Sequence, residues 1–383
     1  LHPQSLDQLD AFGLAEAALE IGVRIDRVAF FQGRERCAEV RLDTVPGRHR
    51  YAVALYQDDL EGLLEDALRD TYGQRVGWGR RLAAVQWPGE GARVLVDRLL
   101  HAPTGDNRRR WEEVVDTRFE IQAQFVVGAD GAHSRLAHLL GTESEGAGDP
   151  AAFDIYEFEP ANIAGPEMRV ALTDRTVNTL WPLPGGTCRW SLEAQPVEAE
   201  AAGTAADLPT TPLPRAASAG TARDHAHEGR EHLLRRIHEV APWFEAGVKE
   251  LDWATRVEFP RRVVHQMGRG ACWLLGDSAH QTLPGGAQSM NASLQEAAAW
   301  VELVARIHLG VATPAQLAEL GQSWRNRWRA RQLCPSSASR AGATAGGHAW
   351  DWRSSWIRRE PSRPGSGRMP GESSPVCRPT ERP

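Results

Sequence analysis

Phe125-Val126-Val127-Gly128-Ala129-Asp130-Gly131-Ala132-His133-Ser134 is a short apolar run that stops abruptly at small residues and an acid. It reads as a buried strand ending in a tight turn, and Ser134 to Leu140 then has helical spacing closed by Gly141. The unit is strand, loop, helix. A second run, Ala271-Cys272-Trp273-Leu274-Leu275-Gly276-Asp277-Ser278-Ala279-His280, repeats the pattern. It continues through Pro284-Gly285-Gly286-Ala287-Gln288-Ser289-Met290-Asn291 into a long Ala-rich helix over 291–309. Both motifs set a carboxylate at the carboxyl end of a strand, which is where open α/β sheets bind ligands. After the second, a Gly-rich turn permits close backbone approach, and the helix start offers free N–H groups and a positive dipole end.

The segments around these motifs fill in an α/β chain. Leu60, Leu63, Leu64, Ala67 and Leu68 follow Asp58 and Asp59 and precede Gly73, the pattern of a capped amphipathic helix. Ser5 to Leu19 is a weaker helix, while Arg81–Gln86, Arg93–Leu99 and Trp111–Ile121 alternate like a β-meander. From about 150 to 266 the texture is strand-like, with Met168–Leu172, Val177–Trp181 and Cys188–Leu192 around a Pro182-Leu183-Pro184-Gly185-Gly186 turn. That stretch reads as a second, mainly antiparallel domain. Within it, residues 197–226 are rich in Ala, Thr and Pro and read as a surface excursion, and Gly229 to Glu245 reads as a helix.

The 383 residues, 42% of them apolar, suit two domains or one composite one. Net charge is −6, and no apolar run reaches the ~18 residues of a spanning helix, so neither nucleic acid nor membrane insertion is expected. Cys37, Cys188, Cys272, Cys334 and Cys377 are scattered singly, without a C-x-x-C pair, and the histidines lack metal-ligand spacing. Structural zinc and a disulfide framework are therefore not expected, and a cytoplasmic location is. Residues 325–383 carry 12 Arg against 4 acids, whereas residues 1–324 carry 32 bases against 46 acids. After about Arg331 the periodicity stops, and 332–383 reads as disordered or frame-shifted sequence.

The two acidic motifs, in this order and with a β-rich segment between them, resemble the second and third FAD motifs of the class A flavoprotein aromatic hydroxylases of the para-hydroxybenzoate hydroxylase type, especially the polyketide and phenol hydroxylases. The likeness spans roughly 1–331 and includes Leu55-Tyr56-Gln57-Asp58-Asp59-Leu60-Glu61 and Trp181-Pro182-Leu183-Pro184-Gly185. It implies an α/β FAD-binding Rossmann-like fold of glutathione-reductase type with an inserted, mainly antiparallel substrate domain. The FAD-binding parts would be 1–149 and 267–331, with the substrate domain at 150–266. It also implies an FAD-dependent, NADPH-using monooxygenase that hydroxylates a small aromatic substrate with O2 through a flavin C4a-hydroperoxide.

By the same resemblance, Asp277 and Gly276 would hold the ribityl or ribose hydroxyls, and Asp130 and Gly131 would lie by the pyrophosphate and the NADPH approach. Gln57 would contact the flavin chain. Pro284 would sit near the flavin ring, with Gly286, Ala287 and Gln288 facing its pyrimidine edge and Asn291 beside them. No metal and no catalytic side chain is implied, because the cofactor carries the chemistry.

Four features depart from the pattern. No strand followed by G-x-G-x-x-G occurs, so a first βαβ of about 30 residues is expected to be missing, leaving FAD weakly held. Leu283, Ser289 and Ala137 stand where Pro, Gly and Arg are usual. Two alternatives stay open: an inactive, truncated remnant, or another flavoenzyme of this fold, a halogenase or prenyl reductase. Against a halogenase stands the lack of a G-x-W-x-W-x-I-P stretch.

Overall fold

The computed structural model describes residues 1–87, 89, 91–104, 110–146, 150–162, 165–194, 221–284 and 288–333. Helices α1 (Pro3–Asp10) and α2 (Ala15–Ile21) come first, then strands β1 (Val23–Ile25), β2 (Arg27–Gln32), β3 (Glu35–Arg41) and β4 (Ala52–Ala54). Helix α3 (Gln57–Tyr72) leads to β5 (Arg80–Gln86), β6 (Ala92–Thr104), β7 (Arg110–Ala123), β8 (Val126–Gly128), α4 (Arg135–Leu140) and β9 (Ser144–Gly146). The middle supplies β10 (Ala151–Pro160), β11 (Met168–Leu172), β12 (Val177–Pro182), β13 (Cys188–Glu193), α5 (Thr221–Val240), β14 (Val248–Phe259) and β15 (Arg262–Val264). Last come β16 (Gly268–Arg269), β17 (Cys272–Leu274), β18 (His280–Gln281), α6 (Gln288–His308) and α7 (Ala315–Leu333).

Local chemistry explains the helix ends. Gly73 takes a left-handed φ of +62° after α3, and its N–H returns to the Arg69 carbonyl, satisfying a terminal acceptor. The single helix expected over Ser5–Leu19 is divided instead, because Gly13 turns left-handed at φ +72° and Leu14 N–H bonds back to Leu9. Helix α5 begins at Thr221, so residues 221–226 are helical rather than part of an excursion. It stops at Val240, short of the expected Glu245, because Pro242 disfavours a helical Ala241 and offers no N–H. Residues 195–220 and 334–383 lie outside the described residues, and with them most of the expected excursion and tail.

A seven-stranded sheet ordered β14-β10-β13-β12-β11-β2-β3 forms the largest layer. Its neighbours are antiparallel except β11 and β2, which run parallel with Met168 opposite Val28. Strands β2 and β3 thus join this sheet although they come from the N-terminal segment. Leu233, Ile237 and Val240 of α5 pack on Tyr156, Phe158, Trp190 and Leu192, each of these apolar anchors contributing about 1.5–3 kcal/mol of burial. The expected meander is present as a sheet ordered β5-β6-β7.

The two motif strands are neighbours. In a sheet ordered β16-β17-β8, β17 runs parallel to β8, with Cys272 opposite Val126 and Leu274 opposite Gly128. Gly128 sits where α4 and β17 cross, and a Cβ there would lie 2.9 Å from Leu136 Cδ2 and 3.0 Å from Leu274 Cδ2. Trp273 and Leu275 form one core with Trp300, Leu303 and Leu317, so α6 and α7 are anchored on the same small sheet.

Candidate functional site

Because β8 and β17 are parallel and adjacent, their following turns leave the sheet at one edge. Gly128 O accepts from Leu275 N at 3.0 Å and from Ser278 Oγ at 2.5 Å, which ties the second turn to the end of the first strand. Arg262 on β15 reaches the same place and donates to Ala132 O.

The first turn is locked from within. Asp130 accepts from Ser134 Oγ at 2.5 Å, Arg135 N at 2.7 Å and Leu136 N at 3.3 Å, so its carboxylate caps the start of α4. Ser134 Oγ in turn accepts from Ala137 N at 3.0 Å. Gly131 carries the reversal at φ +81°.

The second turn faces outward. Gly276 has φ +63°, Gly276–Ser278 forms one 3-10 turn, and the Asp277 side chain is exposed. Among the described residues its one hydrogen-bond partner is Ser289 Oγ on the first turn of α6, at 3.4 Å. Asp277 thus stands before a 21-residue helix with its oxygens accessible.

About 390 Å³ of concave space adjoins the residues that follow the two turns and does not include Asp130 or Asp277 in its lining. Ala132, Ser134, Arg135, Ser278 and Ala279 line it, with His133, His138 and Arg262 adding basic side chains. A second hollow of about 290 Å³ lies at the far end of α4, around Gly141, Glu143, His265 and Arg269, away from both turns.

Other residues expected at the site fall out differently. Gln57 opens α3, exposed, and donates to Glu61 at 2.7 Å. The preceding Tyr56 hydroxyl shares a 2.8 Å hydrogen bond with Thr187, which ties this helix start to the β12–β13 hairpin. Asn291 is 2% exposed, and its carboxamide oxygen accepts from His2 N and Ser5 Oγ, each at 2.7 Å. It holds α1 against α6 and turns no acceptor oxygen outward. Pro284 is half-buried, Gly286 and Ala287 lie outside the described residues, and Gln288 begins α6.

One residue escaped the sequence reading. Glu296 on α6 is 1% exposed, and its Oε2 accepts from Gly276 N at 3.0 Å and lies 2.9 Å from His280 Nε2. The signal was its position in the row Ala292, Glu296, Trp300, Leu303, an acid on the apolar stripe of the helix.

Burial pushes the Cys188 thiol up to about 12 and raises that of Cys272 as well, which keeps both protonated. Among the described residues no group of three or more His, Cys, Asp or Glu could hold a metal, and no helix is long and apolar enough to cross a membrane.

Residues 1–330 match a family model described as FAD binding domain. Pentachlorophenol 4-monooxygenase of Sphingobium chlorophenolicum is 24% identical over 329 residues, 82% of this chain and 52% of that protein. The crystal structure of p-nitrophenol 4-monooxygenase from Pseudomonas putida superposes with a TM-score of 0.64 at 16% identity, covering 88% of this chain and 76% of that one. That of a flavin-dependent halogenase, CmlS, gives 0.62 at 16% identity, covering 86% and 54%. The chain spans about half the length of the curated relatives it matches.

Proposed function

The chain belongs to the FAD binding domain family, and on that premise we propose that it is the flavin-holding part of an FAD-dependent, NAD(P)H-using monooxygenase that hydroxylates a phenolic or polyketide ring. One observation carries the proposal: adjacent parallel strands deliver both aspartate turns to a single edge, and a basic-lined hollow adjoins the residues that follow each of them, Ala132–Arg135 and Ser278–Ala279.

The donor set suits FAD. Asp277 is an exposed carboxylate, able to accept from the neighbouring hydroxyls of a ribityl or ribose chain. His133, Arg135, His138 and Arg262 around the cavity favour an anion, and a dinucleotide pyrophosphate is one. At Gly131 and Gly276 the left-handed backbone carries no Cβ, so a ligand can come close to the chain.

Asp277 and Gly276 would then hold the hydroxyl-bearing part of the cofactor. Asp130 would act through the turn it locks, since its oxygens are taken up by Ser134 and the α4 amides. Pro284 and the start of α6 at Gln288 would face the ring, and Gln57 would border it from α3; Gly286 and Ala287, expected beside them, lie outside the described residues. The substrate would lie between the ring and the seven-stranded sheet, which would keep water from the reacting positions. When bound, FAD would supply the redox chemistry that activates O2, with NAD(P)H as the electron source. A phenolic ring is the favoured substrate class because pentachlorophenol and p-nitrophenol name two of the proteins this chain is similar to.

Titrating the chain with FAD and following quenching of flavin fluorescence is the direct test. Saturable quenching, together with NADPH oxidation stimulated by phenols and incorporation of labelled oxygen into product, is the expected result. Absence of saturable binding would overturn the assignment, and halide incorporation in place of oxygen would move it to halogenation.

A further inference from the structure

We propose that Glu296 and His280 are positioning residues that clamp the Gly276–Asp277 turn so that the exposed Asp277 carboxylate is held in place for the cofactor hydroxyls. The inference rests on the flavin-binding role of that turn and names the residues behind it. Gly276 and His280 bracket the pentapeptide Gly276-Asp277-Ser278-Ala279-His280. A single oxygen, Glu296 Oε2, meets both ends, at 3.0 Å from Gly276 N and 2.9 Å from His280 Nε2. The same helix carries Ser289, whose hydroxyl touches Asp277, so one rigid element sets both the turn and the first partner of its carboxylate.

His280 is held in turn on a flat surface. Its ring stacks on Trp328 of α7 with centroids 3.7 Å apart and planes 19° apart, and it is fully buried. Strand β18 fixes its backbone, with His280 opposite Val263. The imidazole therefore has no room to swing away from Glu296.

The energetics of the arrangement point past stability alone. His280 Nδ1 and Glu296 Oε1 are buried with no hydrogen-bond partner among the described residues, and each such atom costs about 1–3 kcal/mol. Apolar residues of similar volume would pack there without that penalty. The carboxylate engages the protein through one oxygen, and that oxygen holds the backbone amide beside Asp277.

The test uses the full chain and three substitutions. Glu296→Leu fills the space without an acceptor, Glu296→Gln keeps an oxygen for both donors, and Asp277→Ala removes the group being positioned. FAD dissociation constants are expected to rise about ten-fold for Glu296→Leu and to stay within about three-fold of the parent for Glu296→Gln. Combined with Asp277→Ala, Glu296→Leu should add nothing further, since it acts through Asp277. Unchanged affinity in Glu296→Leu, or fully additive losses in the double variant, would overturn the clamp.

A second readout needs neither cofactor nor a foldable variant. In the parent chain without FAD, the Gly276 amide should exchange slowly with deuterium although Asp277 beside it is exposed. Fast exchange at Gly276 would overturn the clamp even if FAD binds. Failure of the parent to bind FAD, with Gly276 protected, would instead sink the flavin reading.

Discussion

Two turns leave the same small sheet from neighbouring strands, each built on a glycine and an aspartate, and they use the aspartate in opposite ways. At the end of β8, Asp130 turns back and takes three donors from its own chain, Ser134 Oγ, Arg135 N and Leu136 N. At the end of β17, Asp277 turns out and, among the described residues, takes one long hydrogen bond from Ser289. The difference originates in the residues just downstream of each acid. After Asp130 the helix starts within five residues and Ser134 stands ready at its N-cap, so the free amides need the carboxylate. After Asp277 the chain makes a 3-10 turn and a short strand before α6 begins at Gln288, and the amide beside it is satisfied by Glu296. A carboxylate relieved of capping is free for a ligand.

The glycine beneath both turns is where this pairing is easiest to break. Gly128 lets α4 and β17 approach so closely that an added Cβ would press on Leu136 and Leu274, and its carbonyl holds Leu275 and Ser278 of the second turn. Gly128→Val should destabilise the chain by about 3 kcal/mol through overpacking. Urea unfolding measures it, and deuterium exchange should show both turns loosening together. A loss under about 1 kcal/mol, or loosening confined to the first turn, would mean that the turns do not share this support.

Exchanging the roles of the acids gives the next effect. Asp130→Ala should cost about 1–2 kcal/mol of stability by stripping the cap of α4. Asp277→Ala should change stability by no more than about 0.5 kcal/mol and yet weaken FAD about ten-fold. Thermal unfolding and flavin titration on the same two proteins separate the cases. Were Asp277→Ala the unstable protein and Asp130→Ala the one with unchanged stability and weak flavin, inward and outward would have been assigned the wrong way round.

Much of this scaffold was legible in the sequence because its signals are local. The caps at Ser134 and Gly141, the acids and Gly73 around α3, and the alternation of β5, β6 and β7 each depend on neighbours a few residues away. The ends of β8 and β17 were legible for the same reason, although their adjacency was not. What escaped depends on distant pairings. Nothing near Asn291 announces that its oxygen will meet His2 and Ser5 across the chain, and nothing near Val28 announces Met168. Glu296 was hidden by type, because an acid on a helix reads as solvent-facing unless the stripe it occupies is traced. The aspartates show the limit most plainly: the pattern located both carboxylates, and only the hydrogen bonds reveal which one faces outward.

The serines refine the contrast at the smallest scale. Ser134 Oγ donates to Asp130 at 2.5 Å and accepts from Ala137 N at 3.0 Å, so one hydroxyl joins the turn to the helix. Ser289 Oγ meets Asp277 only at 3.4 Å, in an exposed position, while it lies on a helix that is already anchored elsewhere. Ser134→Ala should therefore cost about 1 kcal/mol and Ser289→Ala less than about 0.3 kcal/mol. Combined with the acids, Ser134→Ala and Asp130→Ala should lose less together than the sum of their separate losses, because both act on one cap. Ser289→Ala and Asp277→Ala should add without coupling, as an exposed carboxylate with one long hydrogen bond contributes little to holding the protein together. Strong coupling between Ser289 and Asp277 in urea unfolding would show the second turn to be closed on itself like the first, and would remove the reason for placing a ligand there.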